Sequence, residues 1–373
     1  MIRFKLLQIL GLGVVAGAFM LFLGCTFTPE CESIPQNVQY PVGMTSLPSN
    51  GNLLVASGDL SIQYCAGQVV TVDAASDTVA SRIETRLGDK IEGRRHLLGE
   101  IVANADGTLA FVTERTSNHL LVIDLVSGAV EAEVPIDGDP FAVAFSAVTN
   151  QVLVGQLGSK SVSVVDASSF SVVATIPLVE GALGARPLGI AISREGTQAF
   201  VTDQVTPFIH VIDLNSLTEV DTDVSTDGTH PIEITTGSTA LNSRGIAVSP
   251  IDGVNEAYLG NRDPDSIVVI DTTSLRVIDL IALPSSCDNP DGIVAAASGE
   301  IFVACSETDE VAVFNRLTRE LEREITVGDN PQAMAISPEG QKIYVGNLND
   351  GSISVIDNDP ASSTRFSVIA TIQ

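Results

Sequence analysis

The chain has 373 residues and carries 46 acidic against 19 basic side chains, a formal net charge of −27 at pH 7. That balance argues against nucleic acid and anionic membrane surfaces as partners of the folded body, because phosphate binding requires clustered positive charge. Hydrophobic residues make up 45% of the sequence, aromatics only 5% and Trp none, so the core must be built from Val, Ile, Leu and Ala, which suits β-branched packing between sheets.

Residues 1–24 place Arg3 and Lys5 ahead of an apolar run from Leu6 to Leu23, followed by Gly24 and Cys25. This is the pattern of an export signal. The segment Phe22-Leu23-Gly24-Cys25 resembles the lipobox of bacterial lipoproteins, although Phe22 stands where that family usually has Leu and Leu23 where a small residue is commoner. The resemblance implies lipid on Cys25 as the mature N-terminus. It also associates Thr26, in place of an Asp, with sorting to an outer membrane, so the expected location is the bacterial cell envelope. The alternative is an uncleaved membrane helix, for which about 18 apolar residues is near the minimum. Either way the chain is tethered. Residues 26–40 lack apolar periodicity and read as a flexible spacer.

From Pro41 onward one pattern repeats. Residues 331–373 contain four short β-type runs separated by polar turns, PQAMAIS, IYVGN, SISVID and SVIATIQ, which predicts a four-stranded antiparallel sheet. Residues 140–166, 187–213 and 331–357 share one length from Pro to the acid that closes the third run. Using that acid or amide as a marker gives Asp73, Asp124, Asp166, Asp213, Asp271, Asn315 and Asp357, seven units spaced 42 to 58 residues apart. The expected fold is therefore all-β, a seven-bladed β-propeller of four-stranded antiparallel blades over residues 41–373. The first run of each unit is rich in small residues, as in GIAIS at 189–193 and GIAVS at 245–249, which fits strands crowded at the axis. Unit seven completes itself with SVIATIQ, so the ring is expected to close without a borrowed strand, although Asn37 to Tyr40 could add an edge strand. The longest connections, 85–95, 178–186, 222–243 and 283–289, are assigned to the face around the channel mouth, the expected binding surface.

The runs IYVGN at 343–347, AYLGN at 257–261, FVTE at 111–114 and FVTD at 200–203 resemble the YVTN family of β-propeller repeats over residues 41–373. The resemblance implies the fold and leaves the function open. Propellers of the tryptophan-aspartate type and quinone-dependent alcohol dehydrogenases, whose blades lock through Trp, are disfavoured by its absence.

The residues expected to ring the channel mouth are Val42, Gly99, Phe141, Leu188, Arg244, Asp291 and Gln332. Arg244 and Asp291, from neighbouring units, read as a structural ion pair or as ligand-binding groups. Arg94, Arg95, His96 and Arg186 would add a positive rim able to steer a small anionic ligand. The four His, at 96, 119, 210 and 230, show no metal-ligand spacing, and Asp221, Asp223 and Asp227 fail the calcium-loop pattern. No cofactor, metal or catalytic motif is expected. Four cysteines remain besides Cys25; export favours disulfides, and propeller geometry pairs Cys287 with Cys305 and Cys31 with Cys65.

Two functions fit. The first is a monomeric, membrane-anchored scaffold that binds a partner protein or a small anionic ligand at the channel mouth, with His96, Arg186, Arg244 and Asp291 as the candidate groups. The second is an enzyme, since the repeat is similar to that of 6-phosphogluconolactonase-like lactonases and amine dehydrogenase propeller subunits. The lactonase reading needs His96, Arg186 and Arg244 to converge.

Overall fold

Turn chemistry at the seven markers sets the strands. The computed structural model describes residues 37–58, 67–85, 97–181, 184–234 and 242–373. In it each marker ends a third strand and accepts amide hydrogens from the turn that follows, as Asp124 Oδ1 does from Val126 (2.7 Å) and Ser127 (2.8 Å). Asp73, Asp166, Asp213, Asp271, Asn315 and Asp357 do the same. These are Asx-turns, in which a short side chain replaces a backbone acceptor. The amides of Ser127, Ser169 and Ser274 are the main reason that Asp124, Asp166 and Asp271 titrate below the usual carboxylate range.

The result is seven blades, at residues 41–85, 98–135, 140–177, 187–233, 243–282, 290–326 and 331–372, each an antiparallel sheet whose strands follow chain order from inner to outer. Among the described residues there is no helix, and so none long and apolar enough to cross a membrane. Instead of one core the ring has seven, one in each seam between adjacent blades. The aromatic that opens the repeat motif fills five of them: Phe111, Phe200, Tyr258, Phe302 and Tyr344 are all fully buried, each facing the following blade. Burial of such a side chain contributes about 1.5–3 kcal/mol.

The ring closes without a borrowed strand. Blade 7 supplies its own outer strand, Val368–Ile372, and its seam with blade 1 holds Lys342, whose Nζ lies 2.7 Å from Asp77 Oδ1 and from the Ala74 carbonyl. Residues 37–40 add no strand. Val38 is instead buried in that seam and Gln39 is tied through its backbone to the Ser57 hydroxyl.

One segment departs from the sequence reading. Residues 222–243 were expected wholly on the mouth face, but the outer strand of blade 4 is split: Thr218–Glu219 pairs with Ile212 and Asp213, and Ile232–Glu233 pairs with Phe208 and Ile209. Residues 220–231 therefore leave and rejoin the blade along its outer edge. The apolar side chains of Ile232 and Ile234, both buried, draw the chain back into the seam with blade 5. The connection proper begins after Glu233, and its residues 235–241 lie outside the described residues.

In blades 4 and 7 a buried residue at the end of the second strand ties the incoming connection to the blade. Asp203 Oδ1 accepts the Arg186 amide (3.1 Å) and Asn347 Oδ1 accepts that of Gly328 (3.1 Å). In blade 6 this position is Cys305, and the tie is covalent: Cys305 is disulfide-bonded to Cys287, 18 positions away in sequence, with Cα atoms 4.9 Å apart. Cys31 and Cys65 lie outside the described residues. Constraining a loop of this length stabilises by roughly 3 kcal/mol on the chain-entropy estimate. Reduction should therefore lower the guanidinium midpoint of the protein; an unchanged midpoint would mean that seam packing alone fixes the connection.

Candidate functional site

Pairing between inner and second strands slips at the same place in all seven blades, between Pro41 and Gly43, Leu98 and Ile101, Pro140 and Val143, Pro187 and Gly189, Ser243 and Ile246, Pro290 and Ile293, and Pro331 and Ala333. Such a bulge re-aims the side chains beside it. Here it turns the first residues of every inner strand into a central channel of about 540 Å³. Blade backbones meet closely at this level. A Cβ on Gly189 would lie 2.7 Å from the Arg244 carbonyl oxygen, and one on Gly245 the same distance from that of Asp291.

Below the mouth the channel is lined by apolar side chains, with Val102, Phe145, Ile192, Ile246, Val248 and Met334 among those partly exposed. Its polar groups are gathered where the inner strands start, at the mouth: Glu100, Arg244, Asp291 and Gln332. Glu100 accepts a hydrogen bond from the Val143 amide of blade 3 (3.1 Å). Burial in the channel pushes its carboxyl up to about 8, a shift that the Val143 amide opposes and the charge of Asp291 reinforces. Burial also raises the Asp291 carboxyl, against the pull of Arg244 and Arg262.

Asp291 is paired, with Arg262: Nη2 to Oδ2 is 2.6 Å and both side chains are largely covered. Arg262 also donates to the Pro290 carbonyl and the Ser306 hydroxyl, both at 3.3 Å. Arg244, expected to be the partner of Asp291, feels its charge but forms no ion pair within 4.0 Å among the described residues, and its buried Nε has no hydrogen-bond acceptor. The reason is position. Arg262 reaches Asp291 from the hairpin of the blade before, alongside the inner-strand backbone, whereas Arg244 stands within the channel wall.

Of the other candidate residues, Arg186 is exposed and does not line the channel, so it does not join Arg244 there. Arg94, Arg95, His96 and Cys25 lie outside the described residues. His210 is fully buried between Glu219 (2.6 Å) and Asp203 (3.4 Å). Burial opposes its charged form, but the two carboxylates overcome that and raise its pKa. His119 contacts Ser117, and His230 sits 3.1 Å from Asp221 on the excursion of blade 4. Among the described residues no cluster of His, Cys, Asp and Glu could hold a metal ion.

Glu100 and Arg262 were not singled out from the sequence. Both had a signal. Counting from the start of each inner strand, Glu100 falls where the other blades have Gly43, Ala142, Gly189, Gly245, Gly292 and Ala333, and Gly99 precedes it as if the two positions were exchanged. Arg262 directly follows the motif, as Arg115 does in FVTER. Arg115 likewise reaches the next blade, pairing with Asp139 (2.8 Å) and lying over the ring of Phe141 (5.2 Å).

No family model matches the chain. It is 28% identical over 136 residues to the uncharacterized protein YncE of Salmonella typhimurium, and 27% identical over 136 residues to that of Salmonella typhi. In each case the match covers 36% of this chain, and the chain spans only about a third (36%) of the length of these relatives. Among solved structures, a chain of Kuenenia stuttgartiensis hydrazine synthase superposes with a TM-score of 0.70 at 15% identity, covering 90% of this chain and 99% of that one. That likeness is one of fold alone.

Because Glu100 titrates near 8 in the folded chain instead of 4.5, the folded state retains a proton that the unfolded chain has released. Its contribution to stability is full below pH 4.5 and is lost as pH rises through about 8. Glu100→Gln keeps the shape and removes the charge. Its thermal midpoint should exceed that of the wild type by several degrees above pH 8, with the gap closing at pH 4; a gap independent of pH would mean that the carboxyl is freely solvated.

Proposed function

We propose that the chain is a binding propeller of the bacterial cell envelope, built from repeats of the YVTN type, tethered through lipid on Cys25 to the outer membrane and presenting its channel mouth to a partner. The observation that carries this reading is the state of Arg244. A cationic side chain stands in the wall of a formed cavity, without an ion pair among the described residues, next to an acid already matched by Arg262. Buried charges are ordinarily paired, so an open one at the rim of a cavity is a place for an anionic group from outside. Binding is favoured over the lactonase reading because Arg186, one of the three groups that chemistry would bring together, turns to solvent.

The tether and the mouth are tested separately. Metabolic labelling with a fatty acid should mark the wild type and not Cys25→Ser; equal labelling of both forms would refute the anchor. In quantitative capture from envelope extracts, a partner of the mouth face should be lost at least tenfold with Arg244→Gln and retained when residues 222–229 at the outer edge of blade 4 are shortened to a turn. The opposite pattern would move the binding surface to the blade edge.

A further inference from the structure

The channel has one charged end and one long apolar stretch, and the two together describe a ligand. We propose that it holds a monoanionic amphiphile, with the carboxylate head at Arg244 in the mouth and the hydrocarbon body along the apolar wall of the inner strands. This deepens the reading of the mouth as a binding surface and rests on it.

The head is defined by counting charges. Arg262 is committed to Asp291 at 2.6 Å and held by the Pro290 carbonyl and the Ser306 hydroxyl, so it cannot turn to a ligand without stranding a half-buried acid. Gln332 donates through Nε2 to Asn330 Oδ1 (3.0 Å). Glu100 keeps its proton up to about pH 8, and so at neutral pH it adds a hydrogen-bond donor and no negative charge. What remains is the single positive charge of Arg244. A planar guanidinium matches the two oxygens of a carboxylate. A second negative charge on the head would meet Asp291, whose charge already reaches Arg244.

The body is defined by the wall. Beyond the mouth the channel presents the partly exposed side chains of Val102, Phe145, Ile192, Ile246, Val248 and Met334, and no charged side chain. A small hydrophilic anion would leave this surface wet, whereas an alkyl or aryl body would cover it. The cavity volume of about 540 Å³ lies within the range of small-molecule sites, which are mostly apolar with a few convergent polar groups. Met334 adds a side chain that adjusts to the shape of a flexible tail.

Titration calorimetry on the chain from residue 26 onward, which contains every described residue and carries no lipid to compete, tests this with three probes below their aggregation limits. Decanoate supplies head and tail, acetate the head alone, and decanol the tail alone. Decanoate should bind at least tenfold more tightly than either of the others. Arg244→Gln should weaken decanoate at least tenfold and leave decanol unchanged, and Arg244→Lys should restore part of the loss. Decanol binding as well as decanoate, or decanoate binding equally to wild type and Arg244→Gln, would overturn the assignment. Should the Gln variant fail to fold, the comparison of the three probes on the wild type still decides. Absence of decanoate binding while partner capture at the mouth persists would overturn the channel ligand alone, whereas loss of Arg244-dependent capture would remove the reading beneath it.

Discussion

Seven strands crowded around one axis impose the constraint on which the rest of this structure depends. Their backbones approach so closely that positions such as Gly189 and Gly245 have no room for a Cβ against the carbonyls of the next blade. Small side chains at that level are therefore a geometric requirement, and the bulge repeated in every inner strand relieves the crowding by turning the adjacent residues into the channel. Blade 2 departs from the pattern. With Gly99 at the preceding position, it alone places a long acid, Glu100, where the others carry Gly or Ala. The acid that keeps its proton in the channel thus comes from the one repeat that departs from the rule the other six obey.

The four-residue motif has an account in the same geometry. Its first residue fills the seam ahead, as Phe111 does between blades 2 and 3, and its second fills the seam behind, as Val112 does between blades 1 and 2. The third faces the inner strand of the next blade. Where it is Thr, its hydroxyl donates to a backbone carbonyl there, Thr113 to Phe141 and Thr202 to Arg244, each at 2.7 Å. The fourth is buried and holds nearby backbone: Asp203 and Asn347 brace the connections entering their own blades, whereas Glu114 accepts the amides of Thr116 and Ser117 and Asn261 donates to the Pro264 carbonyl in the hairpins that follow. All four side chains are consumed by architecture. A resemblance carried by such a motif can specify the ring and still leave unsaid what the ring binds.

That division explains how much the sequence made legible. Strand ends, blade number and closure follow from local rules that each repeat obeys independently: an Asx-turn after Asp213 needs only Asp213 and its neighbours. The site depends on relations between blades. Arg262 lies in a hairpin, remote in sequence from Asp291, and only the ring brings their side chains together. Glu100 was legible in principle, but the bulge makes it ambiguous which of two consecutive residues faces the axis, and repeat spacing alone points to Gly99, the one before it. The excursion at residues 220–231 looked like a connection because its two flanking strand pieces, Thr218–Glu219 and Ile232–Glu233, are each too short to register as β-type runs.

Closure by packing has a further meaning. Every blade is formed from consecutive strands, and the seam between blades 7 and 1 is built as the others are, with an apolar cluster and, across it, the Lys342–Asp77 contact. Topologically, then, the ring has no starting blade. The order of the polypeptide is a choice of phase on a cyclic object, and circular permutation would move the opening from one seam to another without altering which strands pair. A fold of this kind can present any of its blades next to a tether while leaving the axial channel intact, so attachment and cavity are free to diverge separately.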